Sequence, residues 1–318
     1  MKEKILLSDF KPAIFPIQGH YLRLEEKQFL EKYIPWGIIL FKRNVSSIDQ
    51  VKLLIFEIRN IVPGINILID EEGGLVSRIA KIYKPYPTAR ELGKIYESGN
   101  IELAQKTTYN VYHDLAMFLS ELGVNINTVP VLDIASQDTH DFLQDRVFSQ
   151  DPKIVSELGK VVLDAMKDAK ILGVIKHIPG HGRATCDSHK ELPIVSSLLE
   201  DLSDDFYPFK SLKSHAHLAM TSHIVYKSID NIYPATLSFK VIKFIRQNLK
   251  FKNLIMTDAI EMKALGSSIT DNAKKAFDIG CDLVLYCKPN IDIMRNIANN
   301  LPFISKSSNL KYDISSYA

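Results

Sequence analysis

The stretch ILGVIKHIPGHGRATCDSH (171–189) begins as an apolar, β-branched run and ends among glycines, histidines and aspartates. A short run that is apolar at successive positions fits a strand buried on both faces, as parallel strands are when helices cover the sheet. Where the strand gives out, a lysine, an arginine, an aspartate and three of the chain's nine histidines gather within residues 174–189. Three readings compete for that cluster: a metal site, a site for proton transfer, or an ordinary polar loop.

Seven more runs of the same character lie on either side. They are PAIFPIQ (12–18), WGIILF (36–41), INILID (65–70), VNINTVPVL (124–132), HLAMTSHI (217–224), LIMTD (254–258) and DLVLYC (282–287). Amphipathic stretches alternate with them. SSIDQVKLLIFEIRNI (46–61) places apolar residues at i, i+3, i+4 and i+7 behind a serine cap region. A longer pattern over 98–123 stops at Gly123, and TDNAKKAFDIG (270–280) reads as a Thr-capped helix ending on Gly280. Eight strands alternating with helices predict an α/β fold, a single (β/α)8 TIM-type barrel over residues 1–318 with room for irregular strands; an open doubly wound sheet is the alternative.

Composition agrees with one large soluble unit: of 318 residues, 46% are hydrophobic and 24% charged. A formal charge of +2, without a basic arm or acidic tail, argues against nucleic acid as a partner. The N-terminal apolar run is too short for a signal peptide, and no window reaches the length of a membrane span. Three cysteines, odd in number and without a CxxC pair, read as thiols of a reducing compartment, so a cytoplasmic location is expected.

In such a barrel the carboxyl ends of the strands form the active rim. INILI runs into Asp70-Glu71-Glu72-Gly73-Gly74 with Arg78 soon after; ILGVI runs into Lys176-His177; HLAMTS reaches His223; LIMT delivers Asp258. Each has an ordinary reading too. Asp258 with Glu261 three residues on would serve as a helix N-cap, Asp70 as a turn residue before two glycines, and His177 as a hydrogen-bonded strand-end histidine. All of these would have to hold independently at one rim, which favours a site. For metal, His177, His181 and His189 with Asp187 or Asp258 are the candidate ligands. Pro179 and the glycines break the helix that an i, i+4 histidine pair would use. No metal or cofactor is expected.

These segments also carry a resemblance. IDEEGGLVSRI (69–79), NTVPVLDI (127–134), DRVFSQDP (145–152), KHIPGHGRATCDSHKELPIV (176–195) and MTDAIEMKAL (256–265) resemble, in order, the motifs of glycoside hydrolase family 3. The nearest branch is that of single-domain β-N-acetylglucosaminidases. Chain length fits that branch: about thirty residues follow the eighth run, so all catalytic groups are expected from the barrel rim.

The resemblance implies a retaining exo-glycosidase that removes terminal β-linked N-acetylglucosamine, with cell-wall muropeptides (GlcNAc–anhydro-muramoyl peptides) as the natural substrate and peptidoglycan recycling as the role. It implies Asp258 as nucleophile and His189, oriented by Asp187, as acid/base in place of the usual carboxylic acid. It implies Asp70, Arg78, Arg146, Lys176 and His177 as sugar contacts, with His223 in support. Asp70 would accept two sugar hydroxyls, and Gly180 and Gly182 would let the loop move over the sugar. Glu71, Ala259 and Val147 depart from the family's usual Gln, Asp and Ser. A phosphorylase using the same site, a sugar-binding protein without turnover and a metal-dependent hydrolase are the alternatives.

Overall fold

A computed structural model describes residues 6–136, 139, 141–184, 186, 191–266, 268–305 and 309–314. Eight parallel strands carry the architecture: β1 (Lys11–Pro16), β2 (Pro35–Leu40), β3 (Asn66–Ile69), β4 (Ile126–Asn127), β5 (Leu172–Ile178), β6 (Leu218–Thr221), β7 (Leu254–Met256) and β8 (Val284–Leu285). They hydrogen-bond in the order β8-β1-β2-β3-β4-β5-β6-β7. Between β7 and β8 the ladder shrinks to a single parallel bridge, Met256 to Leu283, helped by Thr257 N–H donating to the Leu283 carbonyl at 3.0 Å. The result is a nearly closed TIM-type barrel.

Each of the eight predicted runs supplies one of these strands, and every residue in them is buried. Such strands lie between an interior filled by side chains and an outer layer of helices, which is why their sequences do not alternate. The irregular ones are short for a visible reason. After Asn127 the fourth run continues through Thr128, Val129 and Pro130, and proline has no N–H for a ladder. Beyond it only Val131 pairs in register, bridging to Lys176, while Leu132 N–H donates to the Lys176 carbonyl at 2.7 Å.

Helices follow the strands as the periodicity predicts, with two differences. Helix Ile48–Ile61 is capped by Ser47, whose hydroxyl accepts from Gln50 N–H at 3.2 Å. The pattern over 98–123 begins only at Ile101, after a separate helix Ala89–Glu97 and a left-handed Gly99. It ends at Gly123 in the left-handed region as expected. The helix read as Thr-capped starts earlier, at Ile269, because the Ser268 hydroxyl is the cap, accepting from Asp271 N–H at 3.4 Å. A two-residue parallel pair, Ile194–Val195 with Val225–Tyr226, adds a second small sheet that the sequence did not announce. No helix among the described residues is long and apolar enough to cross a membrane.

Candidate active site

The carboxyl ends of the strands enclose a cavity of about 380 Å3 whose wall includes Asp70, Arg78, Arg146, Lys176, His177 and Asp258. Six of the nine residues singled out in the sequence therefore meet in one space, brought from four separated segments.

The β3–β5 side is an ion-paired network. Asp70, just past β3, accepts from Lys176 Nζ at 2.7 Å and Thr128 Oγ1 at 2.7 Å through Oδ1, and from Arg78 Nη2 at 2.5 Å through Oδ2. Lys176 also meets Glu72 Oε1 at 2.5 Å, and Arg146 grips Glu72 with two parallel bonds of 2.7 and 2.8 Å. Lys176 is 2% exposed, so its charge is sustained by these two carboxylates rather than by water. Burial works to raise both carboxyls, but Lys176 and Arg78 hold Asp70 well below the usual range, and Arg146 and Lys176 do the same for Glu72. Burial likewise works to lower Lys176, and Asp70 and Glu72 reverse it.

This arrangement modifies the role expected of Asp70. A carboxylate has roughly four acceptor positions, and three are taken by Lys176, Thr128 and Arg78. One hydroxyl can be added directly. A second must replace Lys176, Arg78 or the Thr128 hydroxyl.

Glu71, where the family resemblance has Gln, points away from the cavity. It is fully buried and accepts from the N–H groups of Arg78 at 2.5 Å and Ile79 at 3.1 Å and from Tyr86 OH at 2.6 Å. It braces the loop that presents Arg78, so this departure concerns the loop and not the cavity wall. Val147 is buried against Val131 and Leu143, while Ala259 does line the cavity.

Beyond β5 a buried carboxylate does the positioning. Asp133 accepts from the backbone N–H of His177 at 3.1 Å and of His181 at 2.7 Å, and its Oδ2 lies 2.7 Å from His177 Nδ1. That contact fixes which face of the His177 ring turns to the cavity. His181 also lines the cavity; burial and then the neighbouring His177 push its imidazole down to about 4, so it is neutral at pH 7.

The glycines expected to let this loop move are accounted for differently. A Cβ on Gly182 would come within 1.6 Å of the Ile134 carbonyl oxygen, and one on Gly180 within 3.1 Å of Asp205. The Gly182 carbonyl accepts from Thr139 Oγ1 at 2.6 Å, the Gly180 carbonyl from Tyr226 OH, and Arg183 pairs with Asp205 at 2.7 Å. Glycine is needed here for close approach, and the segment is anchored as far as Ala184. Asp187 and His189 lie outside the described residues.

The β7–β8 side is arranged differently, with Lys263 and Lys288 in the cavity wall. Asp258 follows β7, and its Oδ1 accepts the N–H of Ala259 at 2.7 Å. No helix starts there: a turn leads to a single 3-10 turn at Lys263–Leu265, so the N-cap reading of Asp258 does not apply. Glu261 and Cys287 line the cavity next to it, and Cys287 N–H reaches the Glu261 carboxylate at 3.2 and 3.3 Å. Burial, reinforced by the charge of Asp258, raises the Glu261 carboxyl above the ordinary range. His223 is fully buried and is not on the cavity wall; its Nε2 lies 2.9 Å from the Ala259 carbonyl oxygen.

Glu72, Thr128, Asp133 and Glu261 escaped the sequence reading as site residues. The signal for three of them was present, since each is a polar residue placed where a buried strand ends. Among the described residues no group of three or more His, Cys, Asp or Glu side chains is placed to hold a metal ion.

Comparisons with known proteins agree with this geometry. Residues 16–308 match the model of the glycosyl hydrolase family 3 N-terminal domain. A β-hexosaminidase from Nitrosospira multiformis is 31% identical over 281 residues, 87% of this chain and 80% of that protein. One from Neisseria gonorrhoeae is 33% identical over 282 residues, 87% and 78% of the two chains. Among solved structures, NagZ from Neisseria gonorrhoeae in complex with N-trifluoroacetyl-D-glucosamine superposes with a TM-score of 0.89 at 29% identity, covering 96% of this chain and 89% of that one. The chain belongs to glycosyl hydrolase family 3 and is a glycoside hydrolase built on that family's barrel.

Proposed function

We propose that the protein is a retaining exo-β-N-acetylglucosaminidase that releases terminal β-linked GlcNAc, with GlcNAc–anhydro-muramoyl peptides as its natural substrates and cytoplasmic peptidoglycan recycling as its setting. The barrel by itself is then the catalytic unit. The observation that supports this reading is the cavity itself: Asp258 shares about 380 Å3 with Asp70, Arg78, Arg146, Lys176 and His177, a volume near the lower limit for ligand sites. The β-hexosaminidases among its relatives add support.

In this reading Asp258 attacks the anomeric carbon while His189, oriented by Asp187, gives its proton to the departing oxygen. A water then enters, gives its proton back to His189 and displaces Asp258, so the β configuration is retained. Asp70, Arg78, Arg146, Lys176 and His177 hold the sugar. Charge-assisted bonds from the cations suit hydroxyl and acetamido oxygens.

One observation favours a second reading of the acceptor. Lys263 and Lys288 stand in the cavity wall near Asp258 and would attract an anion, so phosphate in place of water would make the enzyme a phosphorylase. One assay separates these. An aryl β-N-acetylglucosaminide is turned over with and without phosphate, and the released sugar is identified. Free GlcNAc in both conditions is the expected result; GlcNAc-1-phosphate formed only with phosphate would establish the second reading. No aglycone released at any pH would overturn both.

A further inference from the structure

We infer that His223 is a positioning residue for the nucleophile, acting through the backbone of Ala259. The inference rests on the assignment of Asp258 as nucleophile. It gives a definite form to the supporting role expected of His223, whose ring is fully buried and off the cavity wall.

The geometry runs in one direction. His223 Nε2 lies 2.9 Å from the Ala259 carbonyl oxygen, which can only accept, so Nε2 carries the hydrogen. Nδ1 lies 2.7 Å from Thr236 Oγ1, which in turn lies 2.7 Å from Thr221 Oγ1 and 3.0 Å from the Ser222 carbonyl oxygen. A neutral ring accepts the Thr236 hydroxyl proton at Nδ1. A cationic ring donates there, and Thr236 turns its proton to Ser222. Either charge state leaves Nε2–H aimed at Ala259, so the clamp does not depend on titration.

Ala259 is held at its other end by the group it serves: its N–H donates to Asp258 Oδ1 at 2.7 Å. Its carbonyl also accepts from Met262 N–H at 3.1 Å, and Ile260 N–H is tied to the Leu285 carbonyl at 2.9 Å. With the carbonyl clamped by His223, the residue cannot turn freely, and its N–H stays directed at one oxygen of the nucleophile. The usual second Asp of the family motif is Ala259 here, so this position contributes backbone groups alone. A misplacement of about 1 Å in a reacting group can cost on the order of 10²-fold in rate.

The test uses two amides that imitate the two ends of the ring. In His223→Gln the side-chain NH2 falls where Nε2 was and can still donate to Ala259; in His223→Asn it falls where Nδ1 was and reaches only Thr236. The readouts are kcat, the rate at which a fluorinated substrate analogue labels Asp258, and Tm. The expected result is that His223→Gln stays within about fivefold of the parent, whereas His223→Asn loses roughly 10- to 100-fold in both rates at a similar Tm. Equal loss in both variants, the reverse order, or losses that follow Tm would overturn the inference. Should neither variant fold, 15N resonances of the parent protein decide it. Hydrogen on Nε2 throughout the active pH range is expected, and an Nδ1-only tautomer overturns it. Failure of the underlying assignment looks different: Asp258→Ala would remain active whatever the His223 variants do.

Discussion

On the β3–β5 wall, Asp70 and Glu72 share the ammonium of Lys176 and each holds a guanidinium as well, from Arg78 and Arg146. On the β7–β8 wall, Glu261 has the Cys287 N–H and the unfavourable charge of Asp258 for company. Both walls present carboxylates to one small cavity, yet the first keeps them ionised against burial and the second raises Glu261. Recognition of a neutral sugar calls for fixed, fully paired donors and acceptors whose protonation does not change. Bond making calls for a carboxylate that faces the cavity and can reach the anomeric carbon, the role proposed for Asp258. The division resembles the general pattern in which one site drives its titratable groups apart to give them different tasks.

The largest effect should come from removing the proposed nucleophile. Asp258→Ala is expected to lower turnover by several orders of magnitude while leaving Tm close to that of the parent. Asp258 caps no helix, so its loss carries no capping penalty. Activity within tenfold of the parent would remove it from the mechanism and with it the contrast between the walls. A covalent sugar found on Asp258 after reaction with a fluorinated analogue would support the contrast directly.

Next in size is the proposed acid/base. With a sugar leaving group, His189→Ala should cost about 10²- to 10⁴-fold, because the departing oxygen needs its proton early. An activated phenol needs little help, so the glycosylation step should survive far better with that substrate. Asp187→Ala should show a milder form of the same pattern. Equal slowing of both substrates would move the role elsewhere. The structure names the next candidate: His177, already paired with Asp133 at 2.7 Å and facing the cavity.

The barrel was legible because parallel strands buried on both faces leave an unmistakable run of apolar residues, and all eight runs became strands. Their exact lengths were less so: in the fourth run the ladder ends at Asn127 because Pro130 cannot donate, although the apolar pattern continues to Leu132. At the site, Asp70, Lys176 and Asp258 could be read from their places at strand ends. Glu72, Thr128 and Asp133 stand at strand ends too, but their roles were not legible, since their importance lies in what they hold: Arg146 and Lys176, Asp70, and the backbone of His177 and His181. For His223 the reading stopped at a supporting role for the same reason: a strand-end position says which rim a residue reaches but not whether its ring turns to the cavity or to a backbone carbonyl. The two glycines of the 180–184 segment were read as freedom of movement, and packing against Ile134 and Asp205 shows that they serve close contact.

The smallest expected effect sharpens the comparison of the walls, because it predicts opposite signs for the same substitution. Glu72 is depressed from its ordinary 4.5, chiefly by Arg146 and Lys176 working against burial, so its ionised form is favoured by folding. Stability from that source is fully present above the ordinary value and is lost as pH falls through the depressed one. Glu261 is raised from 4.5 by burial and by Asp258, so its protonated form is the one folding favours. That contribution is present below the ordinary value and is lost as pH rises through the raised one. Replacement by Gln removes each titration while keeping size. Glu72→Gln should therefore lower Tm at pH 7, where two buried cations lose a charge partner, and the deficit should persist below pH 4.5, shrinking only as pH falls through the depressed pKa of the parent's Glu72. Glu261→Gln should change Tm little below the ordinary carboxylate pKa, where the parent's Glu261 is protonated, and raise it slightly once pH passes the raised pKa and the parent must hold a charge beside Asp258. Melting curves of the parent and both variants between pH 3 and 8 measure this. Parallel Tm profiles for the two variants would mean that the walls do not differ in electrostatic character, and the division of labour drawn between them would have to rest on Asp258 alone.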